Sequence, residues 1–303
     1  MTKLLVIIAG PTASGKTRLA IDLALHFKTE ILSADSRQFY REITIGTAKP
    51  NETELNEVPH HFINSHSIAN HFNAGNYGVE ATRLLTRLFA THDVVIMAGG
   101  SGLYIDAVIN GIDDLPEADK TIRDQLEKIF QSGGIPALQA ILKTTDPVSY
   151  ETIDLNNPRR VMRALEVSQS TGIPYSSHLG KNNIAPEWEW IMAGIEWPRE
   201  ELYERINERT RNMISAGLKE ESVSVIEHRH QNALSTVGYK EMFDHIDGKI
   251  SLEETTALIS QHTRNYAKRQ LTWFRRYKEM MWIKPGEENQ LIKLIEKKLE
   301  NEA

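Results

Sequence analysis

The chain of 303 residues contains no cysteine. Disulfides, thiolate nucleophiles and cysteine-ligated zinc are excluded, and the absence fits a reducing compartment. Long hydrophobic runs are missing too. The longest, Leu4–Ala9 and Val94–Ala98, reach about six residues, whereas a bilayer span needs roughly 20. No membrane span is expected. The first run meets Gly10-Pro11 at once, without a small-residue cleavage site, and does not read as a signal peptide. There is no low-complexity tract and no internal repeat. With 40% hydrophobic and 25% charged residues the composition is globular, which excludes disorder, collagen and coiled coil. Positive charge is not in excess. A formal net charge of −6 rules out a protein coated in basic residues but leaves room for a local basic patch. At about 100–200 residues per domain, the length allows one large domain or a core with an inserted second one.

The strongest signal that is present lies near the start. Lys3–Ala9 is apolar and rich in branched residues, which reads as a buried parallel strand. Gly10-Pro11-Thr12-Ala13-Ser14-Gly15-Lys16-Thr17 follows and matches the P-loop pattern G-x-x-x-x-G-K-[ST] at every fixed position. Leu19, Ala20, Leu23, Ala24 and Phe27 then recur at helical spacing. Strand, glycine-rich loop and amphipathic helix together are the context the motif requires. Glycines let backbone N–H groups curl around phosphate oxygens, and a helix N-terminus adds partial positive charge. Lys16 supplies a full charge to the outermost phosphates, and the Thr17 hydroxyl is placed to hold Mg²⁺.

The loop does not say which phosphate it binds. ATP or GTP is the usual reading, but two features of that reading are missing. There is no Asn-Lys-x-Asp segment to read guanine. The second good strand, Asp93–Ala98, runs into Gly99-Gly100-Ser101-Gly102 without a carboxylate at its end, where a Walker-B acid would stand. A carboxylate appears elsewhere, in Asp35-Ser36-Arg37-Gln38 after the short strand Glu30–Ala34. Ligands of an open α/β sheet bind at the carboxyl ends of the strands. Asp35, the P-loop and Ser101 are therefore expected to converge on one crevice. Asp35 reads either as a helix N-cap or as a general base or metal-associated carboxylate.

At this point the sequence resembles the tRNA dimethylallyltransferases, or tRNA isopentenylpyrophosphate transferases. The matching segments are Gly10–Thr17, Ser33–Gln38, Ile45-Gly46-Thr47-Ala48-Lys49-Pro50, Pro59-His60-His61 and Gly99-Gly100-Ser101-Gly102-Leu103-Tyr104. Further on come Asn157-Pro158-Arg159-Arg160-Val161, Arg163–Val167, Val237-Gly238-Tyr239 and Tyr266–Arg275. The resemblance implies an α/β fold, a P-loop NTPase-like parallel sheet flanked by helices, with a mainly helical insertion. It implies transfer of a dimethylallyl group from dimethylallyl pyrophosphate to N6 of adenosine 37 in tRNA. The P-loop would then hold a pyrophosphate leaving group, and a hydrolytic Walker-B arrangement would be unnecessary. Asp35 would take the N6 proton. Ser101, by the resemblance a catalytic residue with Asp35 and Lys16 and a contact to the tRNA, stands where the family usually has threonine, which keeps the hydroxyl and loses the methyl. An arginine of the helix 199–216 would reach the pyrophosphate. Arg209 matches best, with Arg205 and Arg211 as alternatives on spacing. Because a stacked adenine is out of reach of such a crevice, the base must be extruded. Asp35, Ser36, Arg37 and Gln38 would contact it, and the Gln38 amide suits an adenine edge.

The remaining chain supplies the expected grip on the tRNA anticodon arm. Gly111–Pro116 breaks the pattern, 117–186 reads as mostly helical, and Trp188–Trp197 alternates like a strand returning to the sheet. This places a helical insertion at 114–187 within a core of 1–113 and 188–303. Arg123, Arg159, Arg160 and Arg163 lie in the insertion, the last three after Pro158, a good first helical residue. They read as phosphate contacts or as a solvated face; the resemblance favours contact and extends it to Val161 and Met162. Gln261–Lys278 carries Arg264, Lys268, Arg269, Arg275, Arg276 and Lys278 and no acidic residue, with Tyr266, Trp273, Phe274 and Tyr277 interleaved. The expectation is aromatics inward and basic residues toward RNA.

Adjacent His60 and His61 point apart and lack a third ligand at useful spacing, so zinc is not expected. The chain ends in a plain charged helix, 287–300, without the C-terminal Cys/His finger of some eukaryotic relatives. That resembles the bacterial form and implies a cytoplasmic enzyme, as a monomer. Two other classes compete. One is a P-loop small-molecule kinase or a prenyltransferase of free adenine nucleotides; the other is a non-catalytic RNA-binding protein. The basic aromatic segment and the insertion argue against the first, and Lys16, Thr17 and Asp35 against the second.

Overall fold

The computed structural model describes residues 3–113, 115–116, 119–180 and 186–300. The chain begins with β1 (Leu4–Ala9), all six residues of which are buried. Complete burial follows from its place in a parallel sheet covered on both faces, and each such Leu or Ile contributes roughly 1.5–3 kcal/mol. Helix α1 (Lys16–Phe27) turns Leu19, Ala20, Ile21, Leu23 and Ala24 onto the sheet and stops at Lys28 in the left-handed region. Strand β2 (Ile31–Ser33) follows. Helix α2 (Glu52–Glu57) is opened by a capping box of Asn51 and Glu54, and β3 (His60–His61) comes next. Helix α3 (Ala74–Leu88) has its own capping box, Asn73 with Asn76. Strand β4 (Val94–Gly99) leads into α4 (Gly102–Ile109).

After α4 come α5 (Lys120–Thr145), α6 (Pro147–Thr152), α7 (Pro158–Thr171) and a 3₁₀ turn at Tyr175–His178. Helix α5 is broken at Gly134, two residues before Pro136. Strand β5 (Glu189–Ile195) returns to the sheet. Then follow α8 (Arg199–Ser215), α9 (Leu218–Ser224), α10 (Tyr239–Ile246), α11 (Leu252–Phe274), β6 (Met281–Ile283) and α12 (Glu288–Glu300).

The six strands form one parallel sheet in the order β3-β2-β4-β1-β5-β6. The architecture is the expected one, a P-loop NTPase-like parallel sheet with flanking helices. Register places Ala9 beside Gly99 and Ser33 beside Ala98. The carboxyl ends of β1, β2 and β4 thus lie side by side, and each releases one of the segments singled out above.

By contacts the chain divides into two compact units, Met1–Ile109 with Ala185–Ala303, and Asn110–Ile184. The first is built on the sheet. The second is helical, around Leu126, Leu138, Leu142, Val161, Ala164 and Leu165. The insertion boundary expected at 114, and residues 117, 118 and 181–185 of the expected helical stretch, lie outside the described residues. Strand β5 is shorter than the expected 188–197 and does not alternate. Its last four residues are all buried, because it runs between β1 and β6 inside the sheet. Among the described residues no helix is long and apolar enough to cross a membrane.

Candidate active site

The P-loop leaves β1 and ends at Gly15, whose φ of 92° lies in the left-handed region that glycine enters without strain. Gly15 is also the N-cap of α1 and offers no side-chain cap. The first N–H groups of α1 are therefore left for a ligand, at the positive end of the helix. Ser14 is 1% exposed, and its Oγ has no hydrogen-bond partner among the described residues. A buried hydroxyl without a partner is costly and suits an incoming phosphate oxygen.

Neighbouring elements hold the loop from outside. Trp197 Nε1 donates to the Ser14 carbonyl at 2.9 Å, and Arg205 Nε donates to the Ala13 carbonyl at 2.8 Å. The Arg205 guanidinium also lies over the Trp197 ring, 4.3 Å from its centre. Gln270 of α11 accepts from the Thr12 N–H at 2.9 Å and donates to the Gly100 carbonyl at 2.8 Å. It ties the P-loop to the loop after β4.

Lys16 folds back so that Nζ donates to the Pro11 carbonyl at 2.5 Å. Burial pushes its pKa down to about 7; the positive charge of Arg209 adds to this and Asp35 opposes it. Arg209 is held below its ordinary value by burial, again with Asp35 opposing. The structure thus separates the three arginines of α8. Arg209 shares the field of Lys16 and Asp35, Arg205 braces the loop backbone, and Arg211 pairs with Glu204 at 2.9 Å on the exposed side.

Asp35 stands just beyond β2. Its Oδ1 accepts from the N–H groups of Arg37 at 2.9 Å and Gln38 at 3.4 Å. No helix follows Asp35, so the oxygen expected to cap a helix closes a local turn over 36–38 instead. The other, Oδ2, takes no hydrogen bond from any described residue. Ser101 Oγ accepts from the Ser36 N–H at 2.9 Å, which fastens the loop after β4 to the turn after β2. Burial raises the Tyr266 phenol to about 12, with the Asp35 charge adding and a Ser101 hydrogen bond opposing. Asp35, Ser101, Lys16 and Arg209 therefore belong to one crevice, as the strand-end argument requires. Sequence reasoning missed Gln270 and the place of Tyr266 in it. Both lie in the basic aromatic segment, but no local pattern tells which of its residues turn inward.

Two sequence readings change. The Gln38 amide is not free to meet an adenine. Its Nε2 donates to the Thr47 and Ala48 carbonyls at 3.3 and 3.2 Å, and its Oε1 accepts from Ser33 Oγ at 3.1 Å. Val161 is fully buried in the helical unit, so its side chain offers no RNA contact; Met162 packs against the same core.

Arg159 and Arg160 at the start of α7 are exposed. Arg123 and Arg163 both face the buried Glu166, at 3.5 and 3.6 Å, and Arg163 also donates to the Pro116 carbonyl at 2.8 Å. In the sheet unit, Phe274 is fully buried, while Lys268, Arg269 and Arg275 are exposed on or next to α11. Arg275 lines a small pocket with Pro11, Trp197 and Leu271. His61 Nε2 lies 2.6 Å from Glu30, and His60 Nδ1 lies 2.9 Å from the Val58 carbonyl.

The IPP transferase family model matches residues 38–277. A tRNA dimethylallyltransferase of Cytophaga hutchinsonii is 46% identical over 300 residues, 99% of each chain. That of Christiangramia forsetii is 46% identical over 292 residues, 96% of this chain and 97% of its own. The crystal structure of the tRNA isopentenylpyrophosphate transferase of Bacillus halodurans matches with a TM-score of 0.73 at 34% identity, covering 99% of this chain and 98% of that one. The corresponding enzyme of Staphylococcus epidermidis matches at 0.70 and 32% identity, covering 99% and 100%. A P-loop crevice without a Walker-B acid and a family match across most of the length lead to one conclusion: this chain belongs to the IPP transferase family.

Proposed function

We propose that the protein transfers a dimethylallyl group from dimethylallyl pyrophosphate to N6 of adenosine 37 in tRNA, releasing pyrophosphate. The observation that carries this reading is the convergence of the P-loop, Asp35 and Ser101 at the adjacent carboxyl ends of β1, β2 and β4. A carboxylate next to a glycine-rich phosphate loop suits a proton acceptor working beside a bound diphosphate. Family membership and relatives named tRNA dimethylallyltransferase support the choice of donor and acceptor.

The exocyclic amine of adenine is a weak nucleophile and needs a base and a good leaving group. The bond from the allylic carbon to the pyrophosphate oxygen breaks, with its electron pair going to pyrophosphate. The N6 lone pair forms the new C–N bond, and the N6 proton passes to the Asp35 carboxylate. Lys16, Arg209 and the N–H groups at the start of α1 offset the charge growing on the leaving group. The donor set also fits a magnesium ion, since the Thr17 hydroxyl stands at the second position of α1 beside the P-loop. Bound there, the ion would add charge neutralisation to the pyrophosphate.

Arg159, Arg160, Lys268, Arg269 and Arg275 serve as phosphate contacts to the anticodon arm, and Ser36 and Arg37 flank the extruded base. Acting on tRNA, the enzyme works in the cytoplasm, as a monomer. The test is pyrophosphate release after mixing with dimethylallyl pyrophosphate and Mg²⁺. Release is expected only when unmodified tRNA is present, stopping near one pyrophosphate per tRNA. Equal release with AMP or ATP in place of tRNA would move the protein to free nucleotides.

A further inference from the structure

Two segments that stand out in the sequence, Ile45–Pro50 and Val237–Tyr239, supply no group to the crevice, yet both converge on the carboxylate of Glu221 in α9. Its Oε2 accepts from the N–H groups of Thr44 at 2.7 Å and Ile45 at 2.8 Å. Its Oε1 accepts from the N–H of Gly46 at 2.9 Å and from the Tyr239 hydroxyl at 2.5 Å. Three successive N–H groups aimed at one point form an anion-binding nest, here filled from within the chain. The Tyr239 side chain is fully buried. It lies so close to Gly46 that a Cβ there would sit 2.5 Å from the ring, which excludes any larger residue. Burial, with the Glu221 charge adding, raises the Tyr239 phenol well above its ordinary value, so it remains a donor.

The far end of the segment is fastened as well. Lys49 Nζ donates to the Tyr40 carbonyl and to Asn64 Oδ1, both at 2.5 Å. Between the two anchors, the Thr47 and Ala48 carbonyls accept from Gln38 Nε2. The Gln38 N–H in turn donates to Asp35 Oδ1. An unbroken chain of bonds therefore runs from Glu221 through 44–48 and Gln38 to the Asp35 carboxylate.

We propose that Glu221 is a positioning residue for the transfer reaction, holding segment 44–48 so that Gln38 fixes the turn that carries Asp35. The inference rests on the dimethylallyl-transfer reading. Tyr239 completes the device by filling the last acceptor site of the carboxylate. The alternative, an anchor that only stabilises the fold, makes a different prediction for the rate per folded molecule.

Glu221→Gln keeps the length but presents an NH₂ group to donors, and Tyr239→Phe removes one hydroxyl while leaving the ring over Gly46. Each variant is compared with wild type in single-turnover transfer to unmodified tRNA, with enzyme in excess and saturating, so that the folded fraction does not enter the rate. The dimethylallyl pyrophosphate concentration giving half the maximal rate is read in the same experiment. Small displacements of a reacting group cost up to about a hundredfold. The expected loss is therefore about 10–100-fold for Glu221→Gln and about 3–10-fold for Tyr239→Phe, with the half-saturating concentration within about threefold. Unchanged single-turnover rates, accompanied only by a lower melting temperature, would overturn the proposal. Should Glu221→Gln fail to fold, Tyr239→Phe alone decides. Absence of transfer by wild type would overturn the underlying reading instead, and is told apart because it precedes any variant.

Discussion

Lys16 lies where its own charge is disfavoured. Burial and the nearby Arg209 bring its pKa from 10.5 to about 7. Between those values the unfolded chain holds more protons than the folded one, so stability rises with pH across that window. The penalty for the buried charge is fully present below about pH 7 and fades as pH rises toward 10.5. Lys16→Met removes the charge in both states. It is expected to melt a few degrees above wild type at pH 6, with the difference shrinking toward pH 9. A difference independent of pH in paired thermal melts would contradict the assignment. At this scale the sequence was legible where chemistry is local. Lys16, Thr17 and Asp35 could be chosen because a motif or a strand end marked them. Gln38 could not be read correctly, since its amide is consumed by carbonyls on a separate turn. Glu221 could not be found at all, because the N–H groups it accepts from lie 175 to 177 residues away and no spacing connects them.

Helix α11 faces two ways, and its period separates two tasks. Gln270 and Phe274 point inward, Gln270 bridging the P-loop and the loop after β4. Lys268 and Arg269 point to solvent, with Arg269 over the Tyr266 ring at 5.7 Å. One rigid element thus links the proposed RNA-facing surface to the diphosphate cradle. Lys268→Ala is expected to weaken binding of all tRNAs by a similar factor and to reduce the slope of log affinity against log salt by about 1. Titrations of two tRNAs at several salt concentrations would check this; a loss confined to one tRNA would make Lys268 a specificity residue. Strands β1, β2 and β4 and helices α1, α8 and α12 were readable because apolar period and turn residues agree, whereas β3 and β6, only two and three residues long, leave no such pattern. Strand β5 was read as alternating, but its buried half reflects neighbours on both sides, which a single strand does not reveal. In α7, Val161 and the arginines around it share one motif, and only packing shows that Val161 serves the core.

The whole molecule joins a net charge of −6 to a basic stripe at 264–278 and exposed arginines at the start of α7. Net charge by itself would have pointed away from a polyanionic partner; its distribution restores one. Replacing a triphosphate by a pyrophosphate leaving group explains why a complete P-loop stands without a Walker-B acid. The central claim is that this crevice alkylates one adenosine of tRNA, with Asp35 as the base. It is tested most directly by mass spectrometry of nucleosides and fragments from unmodified tRNA incubated with dimethylallyl pyrophosphate and Mg²⁺, using wild type and Asp35→Ala side by side. The account expects one added C5H8 unit on adenosine 37 with wild type. With Asp35→Ala it expects transfer slowed by about 10²–10⁴-fold, while tRNA binding stays within about tenfold, since phosphate contacts are untouched. A product on another nucleotide, or full turnover by Asp35→Ala, would contradict it.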